Sequence, residues 1–192
     1  MFGLTGGPGM GKSEAAEMLR KRGVPVVDTD ELAHAIVEPG QPALEEIETV
    51  FGPEFVGADG RLQRDKLAEF VFADATARAK LEAILHPRIA ALWHRQIQGW
   101  RDANKLRAVV VIPLLFETGA EAEFDSVICV ACSRATQQAR LLARGWTPRQ
   151  ITQRNDAQLS GETKMARSHY VVWNEGSMTV MSDQLSRIVP AG

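Results

Sequence analysis

Within its first two dozen residues the chain passes from a short apolar run through a glycine-rich loop into a helical pattern, and that order constrains its fold more than any other feature. Gly6-Gly7-Pro8-Gly9-Met10-Gly11-Lys12-Ser13 satisfies the phosphate-loop pattern G-x-x-x-x-G-K-[ST]. Phe2, Leu4 and Thr5 are suited to a strand before it, and Glu14–Arg22 reads as a helix after it. Such a loop works only between a strand and a helix amino terminus. Its glycines let backbone N–H groups turn inward around a phosphate, and the helix dipole adds positive charge at the same place. Lys12 is then placed to reach the β and γ phosphates, and the Ser13 hydroxyl to ligate Mg²⁺. Residues Gly6, Gly7, Pro8, Gly9, Met10, Gly11, Lys12 and Ser13 are therefore expected to bind a nucleoside triphosphate, with the Pro8 and Met10 side chains pointing outward.

The remaining strands read as unbroken apolar runs at Val24–Val27, Ala108–Ile112, Val127–Ala131 and Tyr170–Trp173. Continuous Val/Ile runs suit a parallel sheet covered on both faces. Helical periodicity fills the intervals, which predicts an α/β three-layer fold. Between the second and third strands lies an excursion from about Glu31 to Asn104, too rich in helix signals for a simple crossover. Pro42 opens Ala43–Phe51, Asp74 precedes Ala75–Leu85, and Pro87 is expected to open a separate helix through Trp100. Phe51-Gly52-Pro53 and Ala58-Asp59-Gly60 are turn punctuation. This predicts an inserted helical subdomain.

Charge is unevenly spread. The whole chain has a formal net charge of −2, which argues against general nucleic-acid binding. Residues 31–91 carry eleven acidic and six basic side chains, whereas residues 134–167 carry seven basic and two acidic ones. The basic segment has its own helix signals: Ser133 as a cap before a helix carrying Arg140 and Arg144, then Gly145, then the capping box Thr147-Pro148-Arg149-Gln150. A helix–glycine–helix hairpin rich in arginine, downstream of a phosphate loop, has the character of a lid. No apolar run is long enough to span a membrane, and the start, Met-Phe-Gly-Leu-Thr, lacks a signal-like pattern. The only cysteines, Cys129 and Cys132, form a C-x-x-C at the end of a β-rich run, with no second pair to complete a zinc site; they read as packing residues. A reduced, cytoplasmic protein without a membrane or nucleic-acid partner is expected.

Phosphoryl transfer asks a protein for positioning and positive charge more than for covalent chemistry. Lys12 and an arginine supply the charge. Asp28-Thr29-Asp30, directly after the second strand, lies at the carboxyl edge of the sheet where ligands bind. One of these carboxylates suits a helix cap and the other a general base, with Asp30 the assigned base. The third strand lacks an acidic terminus, so Mg²⁺ is expected to rest on Ser13, phosphates, and Asp28 or Asp30 through water.

Taken in order, the phosphate loop, Asp28-x-Asp30, Leu85-His86-Pro87, Pro113-Leu114-Leu115-Phe116-Glu117, Arg140-x-x-x-Arg144, Arg154-x-x-x-Gln158 and Tyr170-Val171-Val172-x-Asn174-x-Gly176 make the chain resemble the dephospho-CoA kinases over essentially its whole length. The resemblance implies a P-loop kinase fold: a five-stranded parallel core (about 1–30, 105–140 and 168–192), a helical acceptor-binding insertion (about 31–104) and a lid (about 141–167). It also implies ATP and dephospho-CoA as substrates, with transfer of the γ-phosphate to the ribose 3′-hydroxyl in the last step of coenzyme A biosynthesis. Asp30 would be the base, Lys12 and Arg144 would act on the transferring phosphoryl group, and Arg140 and Arg144 would face the ATP phosphates. Leu115 and Glu117 would line the acceptor site, with His86, held extended before Pro87, as a structural or acceptor contact. Ser168-His169 and Trp173 depart from the family's pattern near the last strand, which bears on the adenine edge. The competing readings are another small-molecule or nucleoside monophosphate kinase of the same core, and a nucleotide-binding module without turnover. Trp93, Trp100 and Trp146 are expected to pack rather than stack on ligands.

Overall fold

A computed structural model describes residues 1–105 and 107–190; residue 106 and residues 191–192, the end of the expected core, lie outside them. Five parallel strands form one sheet: β1 (Phe2–Thr5), β2 (Val26–Asp28), β3 (Val109–Val111), β4 (Ser126–Ala131) and β5 (Tyr170–Trp173), in the order β2-β3-β1-β4-β5. The strand closest to the amino terminus is thus central, paired with β3 and β4, and its carboxyl end feeds the phosphate loop. β2 starts at Val26 rather than Val24 and runs on to include Asp28.

The first helix, α1 (Lys12–Lys21), begins within the loop motif itself. Its Ala15, Ala16 and Leu19 join Met181 and Leu185 of α9 (Met178–Ile188) against Leu4, Val109, Val111, Ile128, Val130 and Val172, burying one face of the sheet. The opposite face is lined by Cys129 and Ala131, packed with Met10 and with Met165 of α8 (Gly161–Arg167), while Gly3 lies against Leu115 and Phe124. Continuous Val/Ile strands are what such two-sided burial requires. At the exposed edge, the Gln184 side chain satisfies both Trp173 backbone groups, accepting from its N–H (2.9 Å) and donating to its carbonyl (3.0 Å). A side chain thereby takes the place of a sixth strand.

The basic segment is helical as expected. Ser133 caps α6 (Arg134–Ala143), and Thr147 with Gln150 forms a complete capping box on α7 (Pro148–Asp156). Gly145 turns the chain between them at φ +84.

By contacts, residues Met1–Asp28 and Gly99–Gly192 form one compact unit and Thr29–Gln98 another. The second contains α2 (Thr29–Ala35), α3 (Pro42–Phe51), α4 (Arg64–Ala73) and most of α5 (Ala75–Asp102). It has its own core of Val37, Ile47, Phe55, Leu67, Val71 and Ile84. Asp74 caps α5 by accepting from Thr76 N–H (2.7 Å) and Ala77 N–H (3.3 Å).

α5 corrects one expectation: Pro87 does not open a new helix but lies inside a single 28-residue one, and His86 is helical rather than extended. Proline inside a helix removes a donor and crowds the preceding turn. Here Arg88 supplies a donor beside the gap, its guanidinium giving a hydrogen bond to the Ile84 carbonyl (2.7 Å) while pairing with Glu46 (2.5 Å). Ile84, Trp93 and Ile97 are buried along the same helix, so packing on both sides of Pro87 holds it continuous. Among the described residues, no helix is long and apolar enough to cross a membrane.

Candidate active site

The phosphate loop is built by close backbone approach. Gly6 (φ +147) lies so near β4 that a side chain there would run into the Val130 carbonyl, and Gly11 (φ +103) is pressed against the Asn174 amide. Any residue with a Cβ would be excluded from both positions. Lys12 folds back over the loop, its ammonium donating to the carbonyls of Gly6 (2.9 Å) and Gly7 (3.1 Å). Ser13, in the first turn of α1, is exposed.

Met10 does not point outward as expected. Its side chain is buried with Cys129, Ala131, Cys132 and Met165, and its sulfur accepts a hydrogen bond from the Gly7 N–H (3.3 Å). A flexible thioether fills the irregular space beneath the loop, and desolvating it there is favourable. Pro8 is half-buried.

Asp28 ends β2 and is 7% exposed. Its register partner Val111 is also the partner of Leu4, so Asp28 is level with the penultimate residue of β1 two strands away, roughly 10 Å at normal strand spacing. Asp30 lies two residues on, exposed in the first turn of α2. No cluster of three or more His, Cys, Asp or Glu side chains suited to a metal occurs among the described residues. Mg²⁺ is commonly held by phosphates, water and only one or two protein oxygens. The Ser13 hydroxyl and the Asp28 carboxylate are hard oxygen donors of that kind, so these residues fit a nucleotide-bound Mg²⁺.

Arg140 and Arg144 are both close to the loop or its helix. Arg140 donates to the Asn174 carbonyl (3.0 Å) and to the Gly9 carbonyl (3.4 Å). Arg144, at the end of α6 and 53% exposed, has its guanidinium 3.9 Å from Glu14, the residue after Ser13. Arg154 is committed elsewhere, stacked 3.9 Å over the Trp146 ring.

The Pro113–Glu117 string forms a socket whose occupant had no signal in the sequence. Lys164 of α8 is fully buried, yet its ammonium has three acceptors: the Pro113 carbonyl (2.6 Å), Glu117 Oε1 (2.9 Å) and Gln158 Oε1 (3.2 Å). Three acceptors match three N–H donors, which is what makes a buried ammonium tolerable. Glu117 Oε1 also accepts from the Leu159 N–H (2.8 Å), and the Pro113 carbonyl from the Thr5 hydroxyl (3.1 Å), so one ammonium ties α8 to the end of β1. In the sequence Lys164 is one basic residue among seven in its segment, and its partner lies 47 positions away.

Leu115 is fully buried; a side chain at Gly3 would meet its Cδ1 at 2.6 Å. Its side chain supports the sheet. His86 is half-buried within α5. Cys129 and Cys132 are buried and unpaired, and burial pushes the Cys129 thiol up to about 11 and raises Cys132 as well, so neither is poised as a thiolate. The Ser168-His169 departure is absorbed locally: His169 Nδ1 accepts from the Val127 N–H (3.0 Å), and Ser168 donates to the Lys164 carbonyl.

The dephospho-CoA kinase family profile matches residues 1–179. A Bdellovibrio bacteriovorus protein named dephospho-CoA kinase is 39% identical over 188 residues, covering 98% of this chain and 94% of its own length. One from Thiobacillus denitrificans is 43% identical over 189 residues, covering 97% and 92%. Among solved structures, a Thermus thermophilus protein superposes with a TM-score of 0.79 at 34% identity, covering 97% of this chain and 94% of its own. The dephospho-CoA kinase of Campylobacter jejuni superposes with a TM-score of 0.70 at 25% identity, covering 98% and 94%. The chain belongs to the dephospho-CoA kinase family.

Proposed function

We propose that this chain transfers the γ-phosphoryl group of ATP to the ribose 3′-hydroxyl of dephospho-CoA, giving coenzyme A and ADP. The observation that carries this reading is the phosphate loop: its carbonyls are engaged by side chains, and Lys12 is held against it by two of them. An ammonium so placed needs only a short movement to meet the β and γ phosphates. The family match over residues 1–179 supplies the acceptor.

In this reading Asp30 accepts the 3′-hydroxyl proton as the oxygen attacks the γ-phosphorus. The bond from γ-phosphorus to the bridging oxygen breaks, ADP leaves, and Asp30 returns its proton to water. Asp30 follows Asp28 by two residues, so the chain itself holds their Cα atoms within about 7 Å. Its exposure leaves room for an acceptor hydroxyl. Lys12, Arg140 and Arg144 offset charge on the triphosphate, which is the main catalytic requirement of a loose transition state. Ser13, with Asp28 through water, would hold Mg²⁺, which when bound neutralises charge on the β and γ oxygens. Glu117 meets the acceptor with Oε2, the oxygen that Lys164 and Leu159 leave, and His86 is a further acceptor contact.

The test is ADP release from ATP and Mg²⁺ with and without dephospho-CoA. Release that depends on the acceptor is expected. Equal release in both mixtures would exclude the transfer.

A further inference from the structure

Six consecutive carbonyls, Gly6 to Gly11, are each engaged, and side chains engage five of them. Lys12 donates to Gly6 and Gly7 (2.9 and 3.1 Å), Gln137 Nε2 to Pro8 (2.9 Å), Arg140 to Gly9 (3.4 Å) and Asn174 Nδ2 to Met10 (2.9 Å); the Gly11 carbonyl accepts from the Ala15 N–H (3.1 Å). Lys12 belongs to the motif and Arg140 to the lid reading. Gln137 and Asn174 belong to neither. Both are polar side chains only 7% exposed, one on α6 and the other directly after β5.

We propose that Gln137 and Asn174 are positioning residues of the nucleotide site, acting through the loop backbone. A peptide unit that turns its carbonyl toward one side presents its N–H toward the other. Fixing the Pro8 and Met10 carbonyls on the protein side therefore fixes the Gly9 and Gly11 N–H groups in orientation before any phosphate arrives. Gly11 shows how tight this is, since a Cβ there would overlap Asn174 Nδ2. Gln137 does more: its Nε2 also donates to Asn155 Oδ1 on α7 (3.3 Å). One amide group thus bridges the phosphate loop and the helix after Gly145, so a displacement of α7 is felt at the Pro8 carbonyl. This inference rests on the nucleotide-binding part of the proposed function and not on the identity of the acceptor.

The energetic consequence is preorganisation. Without these donors the loop is free to rotate its peptides, and nucleotide binds only the fraction in the competent arrangement; apparent affinity falls by that fraction. If the competent fraction drops to one tenth, ADP binds about tenfold more weakly. Asn174→Asp keeps the shape but turns an acceptor toward the Met10 carbonyl, and should weaken ADP binding more than Asn174→Ala. Gln137→Leu keeps most of the volume and removes both donations.

The experiment is calorimetric titration of ADP into wild type, Asn174→Ala, Asn174→Asp and Gln137→Leu, with melting temperatures and ¹⁵N-glycine amide spectra of the same samples. The expected result is a rise in Kd for ADP of about tenfold or more in folded variants, with shifted Gly9 and Gly11 amides. The KM for ATP should rise while that for dephospho-CoA stays within about twofold, because the proposed role of both residues is confined to the nucleotide loop. Variants that melt earlier yet bind ADP like wild type, with unshifted glycine amides, would overturn the proposal and leave these residues a purely structural role. ADP titration needs no acceptor, so a wild type that binds ADP but fails to phosphorylate dephospho-CoA would refute the acceptor assignment without touching this test.

Discussion

Lys164 and Glu117 allow a stability prediction whose size follows from burial and partner count. Lys164 is fully buried and Glu117 is 18% exposed, so the two variants that break the pair are not equivalent. In Lys164→Met, Glu117 keeps the Leu159 N–H and some solvent, and the Pro113 carbonyl keeps the Thr5 hydroxyl. Breaking a buried pair typically costs 3–5 kcal/mol, and this variant should fall near the lower end, about 3 kcal/mol. For a chain of this size that is a fall in Tm of about 6–12 °C. Glu117→Gln strands the ammonium with the neutral acceptors Pro113 and Gln158 and no access to water, so it should cost at least as much. The double variant removes both charges and should recover part of the loss, since a buried pair replaced as a unit is often close to neutral. Urea unfolding followed by circular dichroism on all four proteins gives the cycle, with an expected coupling of about 1.5–3 kcal/mol. Two single variants each costing under about 1 kcal/mol and adding simply would place this pair with ordinary surface ion pairs and refute the reasoning.

Three further outcomes follow from the site. Asp30→Asn should lower kcat by about 10²–10⁴-fold while ADP affinity holds, because shape is kept and the proton acceptor is lost; a crippled Asp28→Asn beside a normal Asp30→Asn would move the base to Asp28. Arg144→Lys should lower kcat more than it weakens ATP binding, since a compact ammonium cannot reproduce a planar fork on two phosphate oxygens; steady-state kinetics indistinguishable from wild type would make Arg144 part of a solvated face. For Cys129, burial raises the folded value to about 11 from 9.0. Above pH 9 the unfolded chain therefore holds fewer protons at this thiol than the folded one, and its contribution to stability declines between about pH 9 and 11. Urea unfolding at pH 8 and pH 10 should show a smaller decline in Cys129→Ala, and equal declines would contradict the burial argument.

The features legible in the sequence are those written in neighbouring residues. The loop motif, the Ser133 cap, the Thr147–Gln150 capping box and the Asp74 cap each depend on side chains within a few positions of the backbone they satisfy. Apolar runs likewise located every strand to within two residues. What the sequence hid depends on distant partners. Pro87 reads as a helix boundary because local sterics say so, and only packing on either side of it, with the Arg88 donor to Ile84, keeps α5 whole. Met10 turns inward because Cys129, Cys132 and Met165 leave an apolar space beneath the loop. Leu115 lies in a motif legible from the sequence, but its packing against Gly3 depends on a strand more than a hundred positions away. Lys164, Gln137 and Asn174 are common polar residues whose backbone partners lie 51, 129 and 164 positions away in the chain.

The central claim is the destination of the phosphoryl group. Wild-type protein incubated with Mg²⁺, dephospho-CoA and ATP labelled at the γ-phosphate should place the label on coenzyme A as a phosphomonoester that a 3′-nucleotidase removes. Label recovered only as inorganic phosphate, or on a product that the 3′-nucleotidase leaves intact, would contradict it.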